Sequence, residues 1–280
     1  MKGQVYKVHS DAYVVKTQDG LIKVGARGNM RRANDKIVVG DFVNIENGVI
    51  TSVCARKNYF PRPNVANIDT VVIVVSPEPK PDYILIDKLV VNALSRDLEI
   101  MFAVNKTDVN DDLFEQVKKT YEHIPAKFFA VSATTCTGLT EFSKHLARKL
   151  VLFAGQSAVG KTSLVNSIFG LNLRTGVLSE KTSRGKHTTT YSEIHTVFGT
   201  GIIDTPGFAV IDAEVKSNEL ADFYPEYFER LKDCKFRGCN HADEPDCAVK
   251  RDVENGILSK ERYLRYLQIR NELIEKEKYL

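Results

Sequence analysis

Hydrophobic positions change rhythm twice along the chain. Over the first 55 residues they come in short bursts: Val5, Tyr6 and Val8; Tyr13, Val14 and Val15; Leu21, Ile22 and Val24; Val38 to Ile45, with Gly40-Asp41 inside it; and Val49, Ile50 and Val53. Gln18-Asp19-Gly20 and Asn47-Gly48 between them are turn signals, the second typical of a tight hairpin. Five short strands in this length predict a small β-barrel of the oligonucleotide-binding type. The stretch bearing Arg27, Gly28, Arg31 and Arg32 reads as the loop between the third and fourth strands, and Pro61 and Pro63 read as a boundary.

Beyond Asn64 the apolar runs become continuous. Thr70 to Ser76, Ile100 to Val104, Phe128 to Val131 and Leu150 to Ala154 read as buried strands. Ile86, Leu89, Val90 and Ala93 lie on one face of a helix predicted over Asp82 to Leu94. Alternating buried strands and helices predict a parallel α/β sheet. Past Asp212 strand patterning stops, and a Cys/His cluster is followed by a charged helical segment from about Ser259 to Leu280, with Leu264, Leu267 and Ile274 on one face. The expected division is a barrel over residues 1–67, an α/β domain over 68–219 and a small helical domain over 220–280. The longest apolar runs are five residues and the N-terminus lacks the apolar stretch of a signal peptide, so a cytoplasmic protein without a membrane span is expected.

Composition adds little until it is divided. With 43% hydrophobic and 27% charged residues, wholesale disorder is excluded. The net charge of +3 hides an uneven spread: residues 1–67 hold eleven Lys and Arg against five Asp and Glu, residues 68–219 sixteen against eighteen, and residues 220–280 twelve against thirteen. The basic excess fits a barrel that meets a polyanion. Arg27, Arg31, Arg32, Lys57 and Arg62 could follow a phosphate backbone, with Tyr59 or Phe60 available for stacking; a solvated basic surface is the alternative.

Between a strand and an apolar helix stands Gly155-Gln156-Ser157-Ala158-Val159-Gly160-Lys161-Thr162-Ser163. This is the phosphate-loop pattern in its required context. Its glycines let backbone N–H groups turn onto phosphate oxygens, Lys161 adds charge at the β and γ phosphates, and Thr162 offers a hydroxyl to Mg²⁺. Asn105-Lys106-Thr107-Asp108, at the end of another strand, selects the base. The Asp108 carboxylate can accept from guanine N1–H and the exocyclic amine together, whereas adenine would strand it, which argues against an ATPase or kinase. Lys106 would lie across the base, Asn105 would tie the loop to the phosphate loop, and Ser132-Ala133 could present an N–H to guanine O6.

Asp204-Thr205-Pro206-Gly207 ends a further strand; Asp204 could hold Mg²⁺ through water, and the Gly207 N–H could meet a γ-phosphate. Upstream, Gly185-Lys186-His187-Thr188-Thr189-Thr190 offers hydroxyls to the metal, with Thr189 assigned the role and Thr188 and Thr190 as near alternatives. The polar run from Leu173 to Lys186 is expected to order around a γ-phosphate. In Ras-like GTPases the phosphate loop comes first; here the base-reading motifs precede it, so the fold is expected to be circularly permuted. Ras places Gln after the switch glycine to orient water, and here that position is Phe208. His187 is the nearest titratable candidate for that task; a solvated loop histidine is the alternative. Cys234-x4-Cys239-x-His241-x5-Cys247 supplies three thiolates and an imidazole, a closed set suited to one structural Zn²⁺ that would take the place of a core.

A barrel, a permuted GTPase and this Cys/His domain together resemble the RsgA (YjeQ/YloQ) family of small-ribosomal-subunit biogenesis GTPases, across essentially the whole chain. The resemblance implies a GTP hydrolase that binds the small subunit and its rRNA, assists late maturation, is stimulated by the subunit and takes part in releasing another assembly factor. It makes GTP and GDP, with Mg²⁺, the ligands of a monomeric protein. Ala158 stands where many members have Gly. A nucleotide-gated rRNA-binding module in which hydrolysis is incidental is the alternative.

Overall fold

The computed structural model describes residues 1–10, 12–27, 36–61, 63–110, 112–173, 193–204 and 211–279. Gly28, Arg31, Arg32 and Arg62 lie outside the described residues, as do Gly185 to Thr190 with His187 and Thr189, and Thr205 to Phe208 with Gly207.

Five strands build the barrel: β1 (Lys2–Val8), β2 (Tyr13–Thr17), β3 (Gly20–Ala26), β4 (Phe42–Glu46) and β5 (Val49–Val53). Alternate residues Val5, Val15, Val24, Val43, Ile45 and Ile50 point inward and form its core. Strand β1 pairs with both β2 and β4, which closes the ring. The predicted strand over Val38 to Ile45 is broken. Gly40 takes φ of 91°, and Asp41 accepts from the Val38 N–H at 2.8 Å and from Arg56, so the regular strand begins only at Phe42, although Gly40 and Asp41 still exchange backbone hydrogen bonds with Val5 of β1. At the expected boundary around Pro61 and Pro63 the chain forms a hairpin of β6 (Tyr59–Pro61) and β7 (Asn64–Ala66).

The α/β unit comprises β8 (Thr70–Val75), α1 (Tyr83–Leu94), β9 (Glu99–Val104), α2 (Asp112–Thr120), β10 (Ala126–Ala130), α3 (Leu139–Leu146), β11 (Leu150–Ala154), α4 (Lys161–Phe169), β12 (Glu193–Val197) and β13 (Thr200–Asp204). Its strand order is β10-β9-β8-β11-β13-β12, parallel except for β12. Continuous apolar strands bury both faces: α1 and α2 cover one with Leu89, Val90 and Val117, while α3 and α4 cover the other with Phe142, Leu146 and Leu164. Asp82 caps α1 by accepting from the Ile84 and Leu85 amides. Strand β12 also pairs with β1, through Lys7 and Glu193, and the Thr196 hydroxyl meets the Tyr6 hydroxyl at 3.0 Å. Barrel and α/β sheet therefore run as one eleven-stranded sheet.

The C-terminal region contains α5 (Pro225–Phe228), α6 (Ala248–Glu254) and α7 (Lys260–Glu277). It does bury a core, against the sequence expectation. Tyr224, Tyr227, Tyr263 and Tyr266 pack with Val249, Ile269 and Leu273, and Val91 of α1 joins them. The predicted apolar face of α7 is only partly right: Leu267 and Ile274 are half-buried, Leu267 against this core. Leu264 is 54% exposed, and the buried face carries Arg262, Tyr263, Tyr266, Ile269 and Leu273. Arg262 is buried because it has partners: Asp87 of α1 at 2.6 Å, Glu226, and the flanking rings of Tyr121 and Tyr224. Asp87 also receives Arg265 and the Tyr121 hydroxyl. Burial by itself would depress the Arg262 guanidinium, but Asp87 and Glu226 outweigh it and hold it above its ordinary range. At the far end of α1, Asn92 holds the Asp212 carbonyl and Glu214 N–H, while Arg96 joins the Tyr59 carbonyl to Glu214. Among the described residues no helix is long and apolar enough to cross a membrane.

Candidate nucleotide site and metal centre

The C-terminal ends of β8, β9, β10 and β11 meet at one edge of the sheet, and the loops leaving them carry the predicted site. In the phosphate loop Gly155 has φ of 133°, and a Cβ there would lie 2.4 Å from the Val74 carbonyl oxygen. Gly160 has φ of 93°, and a Cβ would lie 2.3 Å from the Asn105 side-chain nitrogen. Both positions require glycine for its backbone freedom and for the close approach of a neighbouring loop. Ala158 adopts a left-handed φ of 65° despite its methyl group. Ser157 and Ala158 are exposed, Val159 is buried, Thr162 is buried in the first turn of α4 and Ser163 is half-buried.

Lys161 is only 7% exposed and donates to the carbonyls of Gly155, at 2.8 Å, and Gln156. Burial pushes its ammonium down to about 8. A phosphate in the loop would supply the negative charge this cation lacks.

Asn105 ties three loops together. Its side-chain N–H donates to the Val159 carbonyl at 2.9 Å, and its oxygen accepts from the Ala133 N–H at 3.1 Å. Ala133 is the amide the sequence offers to guanine O6, and here Asn105 holds it. Lys106, at φ of 62°, reaches from the base-reading loop to the carbonyls of Glu78 and Ala158. Thr107 donates its hydroxyl to the Val131 carbonyl at 3.1 Å. Asp108 is exposed, free to meet a ligand edge, and Ser132 is buried with its hydroxyl accepting from Thr135 N–H. Asp204 is the last residue of β13.

Sequence reasoning missed a further wall of the site. The Gln156 side chain accepts from the Asp82 N–H at 2.8 Å and donates to the Lys80 carbonyl at 3.1 Å. Together with Lys106 on Glu78, this fastens the connector between β8 and α1 across the phosphate loop. A signal was available: Ser76-Pro77-Glu78-Pro79-Lys80-Pro81 follows a buried strand, and alternating prolines mark a connector that can continue neither strand nor helix.

In the C-terminal region the ligand atoms of Cys234, Cys239, His241 and Cys247 lie within 4.8 Å of one another. His241 Nδ1 is 3.3 Å from the Cys247 sulfur and 3.7 Å from the Cys234 sulfur. A tetrahedron with Zn–S of about 2.3 Å has edges of about 3.8 Å, so the set fits one such ion. Burial lowers the His241 pKa, favouring the neutral imidazole that ligates, and pushes the Cys239 thiol up to about 12, so a bound metal would displace its proton. Helix α7 holds the ligand loop: Tyr263 donates to the His241 carbonyl at 2.8 Å and Tyr266 to the Asn240 carbonyl, while Glu244 accepts from the Asn240 and Ala242 amides. The cluster can hold a metal ion.

A family model described as RsgA GTPase matches residues 53–214, and one described as RsgA N-terminal domain matches residues 2–50. This chain belongs to the RsgA GTPase family. The small ribosomal subunit biogenesis GTPase RsgA of Caldanaerobacter subterraneus subsp. tengcongensis is 37% identical over 287 residues, which cover 99% of this chain and 97% of that one. The protein of the same name from Thermotoga petrophila is 38% identical, with 99% and 98% covered. Among solved structures, YjeQ from Thermotoga maritima superposes with a TM-score of 0.82 at 36% identity over 98% of each chain. YloQ, a circularly permuted GTPase, superposes with a TM-score of 0.75 at 28% identity, over 98% of this chain and 95% of its own. RsgA membership makes the chain a GTPase, and the permuted order of its motifs is that of the YloQ fold.

Proposed function

We propose that this GTPase acts on the small ribosomal subunit, binding its rRNA during late maturation, and that its hydrolysis is slow alone and fast on the subunit. The observation that carries the reading is Asn105, which locks the base-reading loop to the phosphate loop, within a chain whose full-length relatives are named for small-subunit biogenesis. In this reading Asp108 selects guanine, Lys106 and Thr107 shape the base pocket with Ser132 and Ala133, and residues 155–163 cradle the phosphates. Mg²⁺ would be held by Thr162, by Thr189 and, through water, by Asp204, and supplies charge neutralisation at the phosphates. The Gly207 amide meets the γ-phosphate.

Phe208 cannot orient water, so His187 takes that role once the subunit has positioned the first switch. GDP formation then releases the protein, which in its turn on the subunit helps release another assembly factor. The same Phe208 favours a second reading, in which the nucleotide gates rRNA binding and hydrolysis is incidental. His187→Ala separates the two. Loss of stimulated turnover and of release, with binding kept, supports catalysis; release unchanged supports the gate.

The deciding experiment is phosphate release from GTP with and without purified small subunits. Acceleration is expected, and equal rates overturn the reading. Asp108→Asn should shift preference from guanine toward xanthine nucleotides, whose C2 carbonyl accepts. Metal analysis should find about one zinc per chain, the ratio a closed four-ligand site sets.

A further inference from the structure

Phe198 and Gly199 are the two tip residues of the β12–β13 hairpin, since Val197 pairs with Thr200 across them. Their φ values of 49° and 80° are both left-handed, the geometry that favours Asn-Gly. A bulky aromatic is sterically disfavoured at the first of these positions, yet Phe198 stands there 92% exposed. Beside it, two residues before β11, Arg148 is also left-handed at φ of 61° and exposed, and its guanidinium makes no ion pair among the described residues. Arg148 adjoins the hairpin tip through the residue next to Phe198: a Cβ on Gly199 would lie 3.9 Å from Arg148 Cγ.

Behind this tip a cleft of about 260 Å³ opens between the barrel and the α/β sheet, lined by Tyr6, Phe42, Lys57, Arg148 and Thr196 among others, with Lys57 ion-paired to Asp69 of the same lining at 3.3 Å. Lys2 sits over the Phe42 ring at 5.5 Å. None of these residues belongs to the nucleotide loops, which leave the opposite ends of the parallel strands.

Strained backbone that displays side chains without an internal use gathers at functional sites. An exposed aromatic face, a nearby guanidinium without an ion pair among the described residues, and a cleft lined by Tyr6 and Phe42 match an unstacked base with its phosphate. A purely acidic protein segment would engage Arg148 and leave the aromatic faces without a role. We propose that the Phe198–Arg148 tip and its cleft form a contact site for a single-stranded segment of RNA, with Phe198 stacking on a base and Arg148 meeting the neighbouring phosphate. The proposal rests on the reading that the chain works on the small ribosomal subunit.

The test measures binding of the full chain to purified small subunits, with a non-hydrolysable GTP analogue, across a salt series. Phe198→Asn relieves the turn, so it should keep or raise the melting temperature while weakening subunit binding about tenfold. Arg148→Gln should reduce the slope of log affinity against log salt by about 0.7 to 0.9. Both variants should keep the parent's GTP affinity and subunit-free turnover. A photoreactive phenylalanine analogue at position 198 should cross-link to rRNA. Affinities within twofold of the parent for Phe198→Asn, an unchanged salt slope for Arg148→Gln, or cross-links to ribosomal protein alone would overturn the site while leaving the subunit reading intact. A parent that fails to bind subunits at all would overturn both.

Discussion

Asn105, at the mouth of the nucleotide site, and Asp87, between α1 and α7, are both about 1% exposed, and both hold partners far away in the chain. Asn105 is neutral and engages two backbone groups, the Val159 carbonyl and the Ala133 amide. Asp87 is charged and engages Arg262, Arg265 and the Tyr121 hydroxyl. The difference follows from what each joint must do. Loops that fill and empty with nucleotide are held by an amide, whose partners carry no charge to strand. A permanent docking of the C-terminal region on α1 can use ions, because nothing enters to separate them.

The comparison predicts that damage at the two joints separates cleanly. Asp87→Ala leaves two guanidiniums short of their shared carboxylate and should cost about 3–5 kcal/mol of stability, read by urea unfolding, with GTP affinity nearly kept. A loss under 1 kcal/mol would break the comparison. Asn105→Ala should do the reverse: GTP binding weakened by about 1–3 kcal/mol in a titration, with a smaller change in unfolding.

A third test asks whether charge at the sheet's other end behaves like the Asp87 joint or only decorates the surface. Glu99 is partly buried, which would raise its pKa, but hydrogen bonds from Lys127, Lys149 and Thr70 outweigh that and hold it at about 2. A carboxylate depressed in the folded state adds stability above its unfolded value near 4.5, and that stability is lost as pH falls toward 2. Glu99→Gln should flatten this part of the pH–stability curve by about 1 kcal/mol after solvent screening.

The smallest effect concerns Lys161. Its folded value near 8 lies below the ordinary 10.5, so above pH 8 the empty site is increasingly neutral. Phosphates favour the charged form, so GTP binding near pH 9 should take up a fraction of a proton. Calorimetry in two buffers of different ionisation enthalpy reads this directly, and zero uptake would mean that the loop already supplies the missing charge.

How far each joint could be read from the sequence differs for the same reason. The phosphate and base loops are written in short spacings, because one ligand forces several residues into fixed local order. Helix α1 was equally legible, through Asp82 and the Ile86, Leu89, Val90 and Ala93 stripe. Nothing local announces Asp87 and Arg262, which stand 175 residues apart. An arginine on a helix reads as solvent-facing, and tyrosines read as half-polar, so Leu264, Leu267 and Ile274 looked like the buried side of α7. The fourth barrel strand misled differently: an apolar run over Val38 to Ile45 hid a turn whose geometry depends on Arg56, fifteen residues beyond Asp41.

The order of motifs has a consequence for synthesis. The base-reading loop leaves the translating ribosome before the loop that anchors it, since Val159 follows Asn105 by 54 residues. At about 5–20 residues per second, Asn105 waits roughly 3–11 s for that carbonyl. During this interval β11, which must insert between β8 and the later β13, is also unmade. The nascent chain therefore cannot hold a guanine nucleotide until its phosphate loop has emerged, and a GTPase built in this order is born empty.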